Sequence, residues 1–265
     1  MSRISELFAR KRAEKKSALI AYITAGDPTP ERTAAMVAAL ERGGVDLVEL
    51  GVPFSDPIAD GPVIMKASER ALRAGTTLHK VLDIAREVRT HSQIPLLLFS
   101  YLNPLMRYGF AKLAADAKAA GIDGCLLTDL SVEEAAEFIA PMRAHGLDSV
   151  FLAAPTSPPE RLQAVAECSS GFVYLVSRTG VTGEQAQLSN SVGPLVKAIR
   201  AHTDLPLAVG FGISKPEQAG ETARLVEGVV VGSAFVRLVE THGGSPDLEA
   251  KLEEFARQLK AGMES

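Results

Sequence analysis

Three carboxylates fall close together early in this chain. Glu49 sits inside a short apolar run, Val48-Glu49-Leu50. Asp56 and Asp60 follow in a loop punctuated by Gly51, Pro53, Pro57, Gly61 and Pro62. A strand that delivers one acid into a proline-stiffened loop carrying two more suits paired acid–base chemistry. In such a pair one carboxyl gives up a proton while another stays ionised. Asp is also a common turn former, so each acid of the loop, taken singly, reads as a turn cap as well.

A second group of residues points to an anion. Three glycine-rich turns lie in the last third of the chain: Ser177-Arg178-Thr179-Gly180-Val181-Thr182-Gly183, Gly210-Phe211-Gly212-Ile213-Ser214 and Gly232-Ser233-Ala234-Phe235. Glycine lets backbone N–H groups approach an anion closely. Gly232-Ser233 also opens a helix, whose first amides are unpaired and carry positive dipole character. The polar stretch from Arg178 to Ser191 has the composition of a lid beside such a site.

Other chemistries lack their residues. No lysine falls within a predicted strand, which argues against a Schiff-base aldolase. The five histidines, His79, His91, His145, His202 and His242, map to helices or their far ends. No His-rich metal site and no Ser–His or Cys–His pair is suggested. Carboxylates plus a phosphate cradle remain, a combination fitted to proton transfer on a phosphorylated substrate.

The elements that must position these residues are legible as alternation. Near-continuous apolar runs occur at Ala18–Thr24, Leu47–Leu50, Pro95–Ser100, Gly124–Thr128, Ser149–Ala153, Gly171–Val176, Pro206–Gly210 and Gly228–Val231. That is the pattern of strands buried on both faces of a parallel sheet. Helical patterns separate them, at Glu31–Arg42, Leu78–Thr90, Phe110–Ala120, Val132–Ala144, Glu160–Glu167, Val192–Ala201 and Lys215–Val226, with a last helix over Asp247–Gly262. Eight such repeats predict a single α/β domain over residues 1–265, a (β/α)8 TIM barrel, with a doubly wound sheet as the alternative. An extra helix over Ile4–Lys16 is expected to cover the barrel bottom. Barrels carry their chemistry at the C-terminal strand ends, which sorts Tyr22, Glu49, Asp60, Tyr101, Asn103 and Asp129 to one mouth. The glycine turns follow the sixth, seventh and eighth predicted strands, where barrels commonly hold phosphate.

Composition is ordinary for a globular protein: 46% apolar, 23% charged, net charge -4. No basic run suggests nucleic acid, and no apolar run approaches the ~20 residues of a membrane span. The first residues form a charged amphipathic segment, not a secretory signal. The two cysteines, Cys125 and Cys168, form neither a disulfide framework nor a zinc pattern and suit a reducing cytoplasm.

Residues 49–62, Glu-Leu-Gly-Val-Pro-Phe-Ser-Asp-Pro-Ile-Ala-Asp-Gly-Pro, closely resemble the signature of the tryptophan synthase alpha chain family. The resemblance extends over essentially the whole chain. It includes Thr24-Ala25-Gly26-Asp27-Pro28, Asp129-Leu130-Ser131-Val132-Glu133-Glu134 and the glycine turns at Ser177–Gly183 and Gly210–Ser214. Ser131 departs from the family, which more often has proline there, and this bears on loop stiffness.

The resemblance implies cleavage of indole-3-glycerol phosphate to indole and D-glyceraldehyde 3-phosphate, the alpha reaction of L-tryptophan biosynthesis. Indole then passes to a beta chain, in an αββα heterotetramer. Pyridoxal phosphate is expected only in that partner; neither cofactor nor metal is expected in this chain. Glu49 and Asp60 are implied as the acid–base pair, and Gly183, Gly212, Gly232 and Ser233 as the phosphate cradle. Tyr22, Phe211 and Ile64 are implied around the indole, Tyr174 near Glu49, and Thr182 as a lid residue that meets Asp60. The implied partner surface holds Pro53, Asp56 and the segment Asn103–Tyr108, which moves Asp56 out of the catalytic set. The alternatives are a freestanding lyase that releases indole and a non-catalytic phosphate-binding activator. A sugar-phosphate epimerase is more distant, since it should carry His or metal ligands at strand ends.

Overall fold

A computed structural model describes residues 2–176, 192–210 and 212–265. Thr182, Gly183, Phe211 and the 178–191 segment expected as a lid lie outside the described residues. Nine parallel strand segments form one sheet: β1 Ala18–Thr24, β2 Leu47–Gly51, β3 Leu96–Ser100, β4 Gly124–Leu127, β5 Asp148–Val150, β6 Leu152–Ala153, β7 Val173–Val176, β8 Leu207–Gly210 and β9 Gly228–Val231. Their order is β5-β4-β3-β2-β1-β9-β8-β7-β6. The two ends of that order are consecutive in the chain, separated by Phe151 alone, so the fifth barrel strand is one strand interrupted at that residue. The sheet closes into a (β/α)8 barrel: counted that way, its eight strands are joined by eight parallel pairings, β5 meeting β4 on one side and β6 meeting β7 on the other.

The helices among the described residues are α1 Arg3–Glu14, α2 Pro30–Arg42, α3 Pro62–Arg73, α4 Leu78–Arg89, α5 Leu102–Tyr108 and α6 Phe110–Ala119, then α7 Ala136–Ala144, α8 Pro159–Cys168, α9 Val192–Arg200, α10 Pro216–Ala223, α11 Ser233–His242 and α12 Leu248–Met263. Two differences from the sequence reading stand out here. The helix expected over Val132–Ala144 is a short 3-10 turn, Val132–Glu134, followed by α7. Helices α3 and α5, both in mouth loops, were not anticipated.

Strand alternation divides the core in two. Ala18, Ile20, Leu47, Leu97, Leu126, Val150, Tyr174, Ala208 and Val230 fill the barrel interior. Their neighbours in the strands, such as Leu19, Ala21, Val48, Leu96 and Leu98, face the helices. This is the period-two geometry of a strand buried on both faces. Helix α1 closes the bottom as expected. Ser2 caps it by accepting from the Ser5 amide, and Ile4, Leu7 and Phe8 join the interior cluster. The Phe8 and Phe172 ring centroids lie 5.5 Å apart. Ions pin both ends of α1: Arg3 to Asp123 at 2.9 Å and Lys11 to Asp46 at 2.7 Å.

Candidate active site

Glu49 is the middle residue of β2, and its parity with Leu47 turns it into the barrel. The register pairs it with Tyr22 of β1 and with Leu97 of β3. Its side chain is 0% exposed, and neither carboxyl oxygen finds a hydrogen-bond partner among the described residues. An ionised carboxylate there would be both desolvated and unanswered, so burial alone pushes the Glu49 carboxyl up to about 8. Burial therefore favours the protonated carboxyl at neutral pH.

Asp60 reaches the same interior from the loop that ends at α3, whose first turn opens with Gly61 and Pro62. Proline suits that place, since its missing N–H would be unpaired in any case. Burial raises the Asp60 carboxyl to about 6, against the opposing effect of a hydrogen bond from the Tyr101 hydroxyl. The same hydroxyl accepts from the Ala59 amide at 3.0 Å. Tyr101 thus fixes the Asp60 loop from two directions, and burial with the adjacent Asp60 charge holds its own proton on. The two acids differ because Glu49 is the more deeply buried and, among the described residues, only Asp60 is given a donor.

The tyrosines link them. Tyr22 is buried, and after desolvation the charges of Asp60 and Glu49 both raise its phenol. Tyr174 on β7 is held protonated by burial and then by Glu49. Glycine makes room for both rings. A Cβ on Gly51 would sit 2.2 Å from the Tyr22 hydroxyl, and one on Gly210 would sit 2.0 Å from that of Tyr174. Tyr22 also packs edge-on against Phe99, with centroids 5.1 Å apart, and with Ile64 of α3 and Val236 of α11. Phe99 was missed in the sequence, although its parity with Leu97 already turns it inward.

The other expected residues divide. Gly232 precedes α11 without any side-chain cap, so the first amides of that helix have no partner within it. A Cβ on Gly232 would approach no closer than 3.5 Å, to Tyr22, which places this turn at the mouth. Gly212 holds φ +87°, a conformation that favours glycine. Asp129 is exposed and accepts from the Leu102 amide at 2.6 Å, where α5 begins. That bond gives it a capping task at the start of α5. Pro53 and Asn103 line one groove of about 650 Å³ with Phe54, Pro104 and Tyr108. Asp56 is exposed nearby. His79 lines the same groove, its ring 4.8 Å from that of Tyr108, so it does not lie away from the mouth loops as its helix assignment suggested.

The family description "Tryptophan synthase alpha chain" matches residues 8–264. The chain belongs to the tryptophan synthase alpha chain family. A relative of that name from Solibacter usitatus is 65% identical over 262 residues, covering 99% of this chain and 98% of its own. Another, from Geotalea uraniireducens, is 51% identical over 265 residues, covering 100% and 99%. Among solved structures, the Legionella pneumophila alpha subunit superposes with a TM-score of 0.92 at 35% identity, covering 100% of this chain and 99% of that one. A chain of Mycobacterium tuberculosis tryptophan synthase gives 0.91 at 37% identity, covering 99% and 98%. The family and the observed barrel agree with the expectation from sequence. No helix among the described residues is long and apolar enough to cross a membrane.

Proposed function

We propose that Glu49 and Asp60 are the proton-transfer pair of the alpha reaction, the cleavage of indole-3-glycerol phosphate to indole and D-glyceraldehyde 3-phosphate that serves tryptophan biosynthesis. The observation that carries the assignment is the fully buried carboxyl of Glu49, which has no hydrogen-bond partner among the described residues; burial there favours its protonated form. Glu49 donates that proton to C3 of the indole ring, leaving an indolenine. Asp60, ionised, accepts a hydrogen bond from the ring N–H and offsets the positive charge forming there. The Glu49 carboxylate then takes the proton of the C3′ hydroxyl as the C3–C3′ bond breaks. The bond's electron pair returns to the ring, the carbon becomes an aldehyde, and Glu49 ends protonated as it began. The indolenine is the electron sink, so this chain's step calls for no cofactor.

Tyr22 and Phe99, with Ile64 beside them, suit an apolar pocket for the ring. Gly232 and Ser233, at the uncapped start of α11, suit the phosphate through the first amides of that helix, and Gly212 lies in the turn after β8; Gly183, Phe211 and Thr182 are assigned by resemblance. The groove holding Pro53 and Asn103, with Asp56 at its edge, is the proposed seat of a pyridoxal-phosphate-bearing beta chain in an αββα assembly. The free cysteines, Cys125 and Cys168, suit a cytoplasmic setting. An indole-release assay on Glu49→Gln tests the central assignment. The variant should fold and bind inorganic phosphate yet lose cleavage, and near-normal turnover would overturn the role of Glu49.

A further inference from the structure

Asp27, in the loop after β1, is 2% exposed. It is held by Arg70 of α3 through two parallel bonds of 2.8 Å, from Nε and from Nη2. The remaining Arg70 nitrogen reaches Glu240 of α11 at 3.5 Å. One guanidinium therefore joins three elements: the β1 loop, α3 and α11. The surroundings are tightly packed. A Cβ on Gly26 would lie 1.9 Å from the Thr76 hydroxyl, just past α3, and one on Gly243, just past α11, would lie 3.0 Å from Pro28. The Gly26 amide is taken by the Thr33 hydroxyl at 3.0 Å.

What this knot holds is defined by the other ends of the two helices. Helix α3 starts directly after Asp60 and Gly61, and α11 starts directly after Gly232. Arg70 stands eight residues beyond Pro62, and Glu240 stands seven beyond Ser233. At 1.5 Å per residue the two arms are about 12 and about 10 Å long. Between them Ile64 and Ala67 of α3 pack on Val236 of α11 over Tyr22. Two arms of nearly equal length are thus tied at one end and open onto the barrel mouth at the other.

We propose that Arg70 is a positioning residue for the cleavage reaction, clamping α3 and α11 so that the acid at the head of one and the anion-binding amides at the head of the other stay at one fixed separation. This rests on the assignments of Asp60 and of the Gly232–Ser233 turn made above. A substrate that is an indole at one end and a phosphate at the other must meet both heads at once. A ligand with only one of those ends does not. Lysine keeps the charge but lacks the planar fork that makes the paired bonds to Asp27 and the third to Glu240.

The test compares whole and partial ligands on the full chain. For Arg70→Met, kcat/KM for indole-3-glycerol phosphate should fall at least tenfold, with a loss in kcat at saturation. The Kd values for inorganic phosphate and for indole should stay within twofold of the parent. Arg70→Lys should recover part of the rate. Should Arg70→Met fail to fold, Asp27→Asn/Arg70→Met, which leaves no buried carboxylate unpaired, carries the same comparison. An unchanged kcat/KM in either folded variant overturns the clamp. So does a loss of phosphate or indole binding as large as the loss of kcat/KM, since that marks local damage. If the parent chain itself neither binds phosphate nor releases indole, the underlying assignment has failed and not the clamp.

Discussion

At pH 7 the Glu49 side chain carries its proton and Asp60 is largely ionised, because burial raises one to about 8 and the other only to about 6. The rate should follow both. We expect kcat/KM to rise as Asp60 ionises near pH 6 and to fall as Glu49 ionises near pH 8, in a bell measured on the chain without partner. Tyr101→Phe removes the hydrogen bond that opposes the burial of Asp60, so it should move the acidic limb upward and leave the basic limb in place. Glu49→Gln should cost roughly 10²–10⁴-fold in turnover, the usual worth of a general acid–base group. Glu49 also marks stability. Its folded carboxyl keeps a proton that an unfolded one loses near 4.5, so the native state holds the extra proton between about 4.5 and about 8. Stability should fall as pH rises through that window, by up to ~1.4 kcal/mol per unit from this group, and level off above it. Urea titrations of parent and Glu49→Gln across pH 5–9 check this: the variant should lack that component of the slope.

At the scale of elements, the mouth is made by pairing a large inward side chain with a glycine on the next strand. Gly51→Ala and Gly210→Ala drive a methyl into the Tyr22 and Tyr174 hydroxyls. Each should destabilise by about 1–3 kcal/mol in chemical denaturation and lower kcat/KM by displacing its ring. Much of this level was legible beforehand. Runs such as Ala18–Thr24 and Gly228–Val231 coincide with β1 and β9 because strands buried on both faces write themselves as unbroken apolar stretches. Helix α3 was also within reach: Pro62 opens it, and Ile64, Ala67, Ser68 and Ala71 recur on its buried face. Helix α5 has only seven residues, with Pro104 in its first turn, too little for a period to emerge. The acids were legible as types and their division of labour was not. It depends on the Tyr101 hydroxyl bonding Asp60 while no hydrogen bond reaches the Glu49 carboxyl among the described residues, and the one bond made joins residues far apart in sequence. Asp129 shows the converse, an acid whose position suggested chemistry and whose neighbour, the Leu102 amide, gives it a capping task.

At the scale of the whole molecule, the barrel has a working face and a braced face. On the working face, Met106 is 56% exposed on α5, beside the groove proposed for the beta chain. Met106→Glu should leave basal indole release within about twofold and abolish stimulation by an added beta chain, since a charge at a buried apolar contact is the costlier change; retained stimulation would move the partner elsewhere. On the braced face, Phe8→Ala should cost about 3–5 kcal/mol in urea unfolding, the usual loss for a buried ring. The brace also sets an order in time. Helix α1 precedes every residue that covers it: Phe172, Asp123 and the strands that line the interior all lie later in the chain. During synthesis its apolar face, Ile4, Leu7 and Phe8, therefore waits uncovered while most of the barrel is still being made. Ribosome-bound chains that end before Phe172 are expected to be cut by protease within residues 3–14, and chains that extend past β9 to resist. A helix made before every strand of the barrel is thus sheltered in full only after β7 has followed, and the bottom of the barrel is finished only when most of the mouth above it is.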